Sequence, residues 1–165
     1  MHVSTRTTCR VCGSSSLSPV IDLGEQYLSN LFVAAGVNAP LRRIPLQLVR
    51  CNPSLDERSC GLVQLRHTVP PQVMFETYWY KSGVNQTMRD ALGDIAHQAE
   101  SLVQLKSGDV VLDIGCNDCT LLHQYLSPGI RKVGMDPAKN VGSMPNRERI
   151  TVIEDFFTAR NYLNK

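Results

Sequence analysis

Over roughly the first 68 residues the apolar positions fall in short runs, 19–23, 44–50 and 61–65, parted by turn-rich segments without a helical period. Runs of that kind predict strands, and so a small β-rich module. The pair Pro70-Pro71 closes it. Val73, Met74 and Phe75 then open a stretch with helical patterning, which Met88, Leu92, Ile95, Ala96, Ala99, Leu102 and Val103 continue at steps of three and four. After the turn Lys106-Ser107-Gly108-Asp109 comes an apolar run, Val110-Val111-Leu112-Asp113-Ile114, a helix expected over 121–126, a turn at Ser127-Pro128-Gly129, a second strand over 132–135 and a third over 149–153. The pattern predicts three parts: a module over 1–68, a helical linker with an aromatic cluster over 69–106, and part of an α/β domain over 107–165. The class expected is therefore α/β, with a β-rich module ahead of it.

Three strands of a doubly wound sheet leave one edge unpaired, so a fragment is expected here, or a short protein whose partner covers that edge. A homo-oligomer or a missing C-terminal half would each do so. The chain has 165 residues, 42% of them apolar and 19% charged, with a net charge of +2. That balance lacks the clustered cations of a nucleic-acid surface, and its basic residues gather only in the doublets Arg42-Arg43 and Arg131-Lys132. No run approaches a membrane span and the N-terminus does not read as a signal peptide, so a cytoplasmic protein without membrane or nucleic-acid partners is expected.

In such a setting six cysteines point to metal or redox chemistry rather than disulfides. Cys9 and Cys12, two residues apart and followed by Gly13, form half of a thiolate site, because a tight turn can aim both sulfurs at one tetrahedral ion. Cys51 and Cys60 supply the other half across a polar eight-residue loop. A closed four-sulfur site has no open position for water, so its role is structural; zinc is the expected ion, and iron would accept the same geometry.

The segment after the first strand, Asp113-Ile114-Gly115-Cys116-Asn117-Asp118-Cys119, reads as a nucleotide-type binding turn. Asp136 stands at the end of the second strand, where a ribose hydroxyl pair finds its acceptor. A single glycine between the acid and the helix does not make a dinucleotide fingerprint, which favours S-adenosylmethionine over NAD. A βαβ unit without ligand is the plain alternative, and Cys116 with Cys119 also has the placement of a redox pair. The cluster Phe75 to Gly83 holds the single Trp and two of the five Tyr; such clusters more often pack than react, though a phenol there could reach a substrate.

Taken in order, several motifs carry a family resemblance. They are Cys-Arg-Val-Cys-Gly (9–13), Asp-Leu-Gly (22–24), Cys-Gly-Leu-Val-Gln-Leu (60–65), Tyr-Trp-Tyr-Lys-Ser-Gly (78–83) and Thr-Met-Arg (87–89), then Val-Leu-Asp-Ile-Gly-Cys-Asn-Asp (111–118), Met-Asp-Pro-Ala-Lys-Asn (135–140) and Glu-Asp-Phe-Phe-Thr (154–158). The chain resembles the first part of the sugar C-methyltransferases that act on nucleotide-linked deoxysugars. The resemblance implies an N-terminal zinc-binding module followed by the first half of a Rossmann-like class I methyltransferase domain. It implies zinc on Cys9, Cys12, Cys51 and Cys60, and cofactor contacts from Asp113, Gly115 and Asn117 on the methionine side, Asp136 at the ribose, and Asp155 and Phe156 at the adenine. Tyr80, and less strongly Tyr78, would face the sugar nucleotide. The implied reaction removes the proton beside a 4-keto group to give an enolate, which is then methylated. Two departures stand out: Cys119 replaces a glycine of the family, where a thiol would crowd or tilt the cofactor turn, and the family's catalytic histidine lies downstream of Lys165. Neither His97 nor His123 falls on a family motif; both read as polar helix-face residues.

Overall fold

The computed structural model describes residues 2–29, 31–37, 42–140 and 149–164. Its elements in chain order are β1 (Ser4–Thr5), β2 (Leu17–Tyr27), β3 (Arg43–Cys51), β4 (Val63–Leu65), β5 (His67–Thr68), α1 (Pro71–Phe75), a 3-10 turn (Ser82–Val84), α2 (Gln86–Leu102), β6 (Val110–Ile114), α3 (Thr120–Gln124), β7 (Arg131–Met135), β8 (Ile150–Ile153) and α4 (Ala159–Leu163). The chain divides into two compact units, Met1–Met74 and Phe75–Lys165. It is thus a mixed α/β protein, and among the described residues no helix is long and apolar enough to cross a membrane.

In the first unit β2, β3 and β4 form an antiparallel sheet with β3 in the centre, and β1 pairs with β5. The β2–β3 ladder is interrupted twice, between Pro19 and Ile21 and between Asp22 and Glu25. At the second break Gly24 takes a φ of 67° and its N–H bonds the Asp22 carboxylate at 2.8 Å, a bulge that a side chain at residue 24 would strain. Most of β2 is exposed, Ile21 and Leu23 included. The buried apolar residues of this unit, among those described, are Cys9, Leu28, Val49 and Cys51, which is very little core for its length.

The second unit is built differently. β6, β7 and β8 form a parallel sheet in that order. Side chains alternate across it as the pleat requires. On one face Val111 and Val152 pack with Ile150 against Cys116, Cys119 and Leu122 of the α3 turn; on the other Leu112, Val133, Met135 and Ile153 pack with Tyr162 of α4. Gly134 falls on the α3 face, and α3 lies so close that a Cβ there would stand 2.7 Å from Cys116 Sγ. A glycine at that point of β7 is therefore a packing requirement.

The helical stretch expected to run on from Val73 is broken: α1 ends at Phe75 and α2 begins at Gln86. Asn85 caps α2 by accepting the Met88 N–H at 2.7 Å, so the helix starts where its first free amides find an acceptor. α2 buries Gly93 and Ala96, while Ile95, Leu102 and Val103 stay exposed. The small residues thus mark its inner face, and the larger apolar ones do not.

Candidate metal centre and binding cavity

The four cysteines of the first unit converge. Cys9 Sγ lies 3.6 Å from Cys60 Sγ and Cys12 Sγ 3.4 Å from Cys51 Sγ, and all four sulfurs are within 4.8 Å of one another. Four thiolates about 2.3 Å from one tetrahedral zinc ion would stand about 3.8 Å apart, so the sulfurs are close to a ligand cage. Local structure aims them. Gly13, at a φ of 77°, donates to the Cys9 carbonyl and closes the first knuckle, while Arg10 N–H bonds Gln64 Oε1 at 3.1 Å and ties it to β4. Cys51 ends β3 and donates to the Leu62 carbonyl at 2.8 Å, which brings Cys60 back beside it. The loop between them is ordered by Asp56, whose carboxylate accepts from Ser14 Oγ at 3.2 Å and from Arg58 N–H at 3.1 Å. Those bonds hold the Asp56 carboxyl below its usual value, Arg58 foremost.

The thiols also respond to one another. Backbone N–H groups of Cys12 and Val11 lower Cys9 to about 6, toward the thiolate. Cys60 goes the other way, to about 11: a bond from the Leu62 backbone favours its thiolate, but desolvation and the Cys9 and Cys12 sulfurs outweigh it. That crowding of sulfurs is what a divalent cation relieves. The donor set therefore fits zinc, in a closed site suited to structure and not to catalysis.

In the second unit a cavity of about 470 Å³ opens at the carboxyl ends of the parallel strands. Ile114 ends β6, with Gly115 and Asn117 after it; Met135 ends β7, with Asp136 and Pro137 after it; Phe156 and Phe157 follow β8; Phe75, Tyr78, Tyr80 and Ser82 supply the remaining wall. This is where open parallel sheets take ligands. Asp136 is the hub of its polar side. Its Oδ2 accepts the Asn117 N–H at 2.9 Å and its Oδ1 the Ala138 N–H at 2.8 Å, which leaves lone pairs on both oxygens for a further donor. Gly115, with a φ of 78°, has open space where a Cβ would project, so a ligand could approach its backbone.

Of the residues singled out in the sequence, Gly115, Asn117, Asp136, Phe156, Tyr78 and Tyr80 line this cavity. Asp113 and Asp155 are not among its lining residues. Burial, then the Asp136 charge, pushes the Asp113 carboxyl up. Asp155 accepts the Phe156 N–H at 2.7 Å and so shapes the turn after β8. His97 is exposed on α2; His123 lies in the last turn of α3 and is lowered by burial first and then by Lys132.

Cys119 has a φ of 62°, the left-handed conformation that favours glycine. Its thiol does not line the cavity: it is buried with Leu122 and Ile150, 3.9 Å from Cys116 Sγ. Of the two effects expected from this thiol, crowding of the turn or tilting it, the structure shows no crowding of the cavity, because the side chain points into the core. Contact with Cys119, then burial, drives the Cys116 thiol well up, away from the thiolate that a redox pair uses.

Residues 75–83 are fastened by side chains distant in the sequence. Asn140 pairs with both Tyr78 backbone groups, accepting its N–H and donating to its carbonyl, each at 2.9 Å. Asn117 does the same further along, accepting the Ser82 N–H at 3.0 Å and donating to the Tyr80 carbonyl at 2.9 Å. Asp118 accepts the Gly83 N–H at 2.8 Å. The clue was the carboxamides and acid just past each strand end, a weak signal because such residues also serve turns.

Comparison with known proteins bears on the first unit and on the chain as a whole. Residues 9–75 match the family described as "Putative zinc binding domain", a span that nearly coincides with the first compact unit and contains all four clustered cysteines. The chain as a whole is 29% identical over 152 residues to the C-methyltransferase NovU of Streptomyces niveus, an alignment that covers 92% of this chain and 35% of that protein. The chain thus spans about a third of the length of the curated relative it matches. Together these matches bear out the resemblance to the N-terminal portion of a C-methyltransferase.

Proposed function

We propose that this chain is the zinc-binding module and the first, Rossmann-like half of a class I methyltransferase that uses S-adenosylmethionine to methylate a carbon of a nucleotide-linked keto-deoxysugar. The observation that carries the proposal is the cavity at the carboxyl ends of β6, β7 and β8, with an acid at its hub and aromatic side chains on its walls. Its volume lies within the range of about 300–1,000 Å³ usual for small-ligand sites. Asp136 would accept the ribose hydroxyls, Phe156 would flank the adenine on a turn that Asp155 shapes, and Gly115 and Asn117 would shape the methionine side. When bound there, S-adenosylmethionine supplies an electrophilic methyl group.

The protein's share of the chemistry is orientation and charge stabilisation. Tyr80, or less strongly Tyr78, would donate a phenolic hydrogen bond to the substrate's 4-keto oxygen, where negative charge grows as the neighbouring carbon loses its proton and becomes an enolate. The zinc site plays no chemical part; it holds together a unit with little core of its own. The second reading, a non-catalytic zinc-binding interaction module with an incomplete Rossmann half, draws on the exposed apolar residues of β2.

Calorimetric titration of S-adenosylmethionine into the zinc-loaded chain tests the proposal. Saturable binding, weakened at least about tenfold by Asp136→Asn, the scale of one charge-assisted hydrogen bond, is the expected result. No saturable binding, or preference for NAD, would contradict it.

A further inference from the structure

The two asparagine pairings share a chemistry. A carboxamide is the one side-chain group that presents a donor and an acceptor as a peptide does, and Asn140 and Asn117 each use both to bind the backbone of the aromatic segment like short pieces of added strand. The backbone held at these clasps includes that of Tyr78 and Tyr80, both of which line the cavity. Both clasps trace back to one carboxylate. Asp136 holds the Asn117 N–H through Oδ2 and, through Oδ1, the Ala138 N–H that shapes the turn leading to Asn140. Asn117 sits at a φ of 49°, a left-handed conformation that Asn tolerates better than most residues, and its N–H points at Asp136.

We infer that Asn140 and Asn117 are positioning residues that clasp residues 75–83 as a strap and set it as the aromatic wall of the cavity, with Asp136 aligning both clasps. Any donor that engages Asp136 therefore meets the carboxylate that also holds the strap. That the strap serves methyl transfer rests on the function proposed above, but the clasp does not, so its test uses no ligand.

The test exploits the difference between an amide and an acid. In Asn140→Asp the charged carboxylate cannot donate to the Tyr78 carbonyl and repels it, so the clasp opens and frees the Tyr78 N–H; once protonated the side chain can donate again and restore the pair. The charged groups nearby are Asp136 and the Lys139–Glu76 pair, whose Nζ and Oε2 are 3.4 Å apart, and the unmodified chain measured at each pH accounts for their titration. Hydrogen exchange at the Tyr78 amide, relative to the unmodified chain, is expected to be about tenfold faster in Asn140→Asp at pH 7, the scale of one lost hydrogen bond, and to return toward unity near pH 4. Emission from Trp79, the chain's single tryptophan, should follow the same profile. Asn140→Ala should expose the amide at both pH values, without rescue. A Tyr78 amide protected equally in all three proteins would overturn the assignment. So would loss of α2 protection along with the strap, since Asn140 would then support the whole unit. Failure of the S-adenosylmethionine titration would sink the methyltransferase reading and leave the clasp standing.

Discussion

The two units solve the problem of stability in opposite ways. Met1–Met74 buries few apolar side chains among its described residues, and its two most central ones besides Leu28 and Val49 are cysteines. Phe75–Lys165 packs both faces of a parallel sheet, with Leu122 and Met135 almost wholly excluded from water. The first unit has use for a metal because β2 lies largely open to solvent and few apolar side chains are buried; the second can rely on side-chain packing. The contrast also separates the chemistry. A closed four-sulfur centre belongs to the unit that must be held together, and an open, polar-hubbed cavity belongs to the unit that already is.

The largest effect should follow from breaking the metal centre. Cys51→Ser removes a fully buried ligand, and since structural zinc sites contribute on the order of 10 kcal/mol to small folds, zinc content and the antiparallel sheet should be lost together, with the parallel sheet retained. Zinc analysis alongside circular dichroism reads both. Smaller, and confined to the other unit, is Gly134→Ala. Its methyl group meets the Cys116 sulfur and Leu122, and overpacking of that kind costs about 1–3 kcal/mol, so denaturant unfolding should shift while zinc stoichiometry stays the same.

Smaller again is the charge that ties α2 to the turn before β7. Glu100 Oε1 accepts the Leu126 and Ser127 N–H groups at 2.9 and 2.7 Å, and bonds from Ser127 foremost hold its carboxyl below the usual value. A depressed folded-state value means the contribution is complete above the unfolded carboxyl pKa of about 4.3 and fades as pH falls through the folded one. Solvent screening keeps it to about 1 kcal/mol or less. The stability gap between the native chain and Glu100→Gln should therefore be present at neutral pH and vanish in acid, which unfolding at a series of pH values would show. Least of all should Cys119→Gly matter: relief of a left-handed backbone and loss of a buried thiol nearly offset, within about 1 kcal/mol. Because that thiol faces the core, S-adenosylmethionine affinity should be unchanged by the substitution.

The same contrast sorts what could be read from the chain. Cys9, Cys12, Cys51 and Cys60 were legible because thiolate spacing near a glycine has few other uses. The strands β6 and β7 and the turn between Ile114 and Thr120 were legible because apolar runs ending in an acid and a glycine are locally determined. The break between α1 and α2 was not. Residues 76–85 follow the strand ends through Asn117, Asp118 and Asn140, and bonds between positions 35 to 62 residues apart leave no local period. Nor could the pattern show that Cys119 turns its thiol inward, which depends on α3 packing against Gly134 and Ile150.

The most direct measurement is residue-resolved hydrogen exchange of the whole chain before and after the metal is chelated. If the first unit rests on its metal and the second on its packing, amides of β2, β3 and β4 should lose protection on chelation while those of β6, β7 and β8 keep theirs. Protection lost from both sheets together, or from neither, would contradict that division.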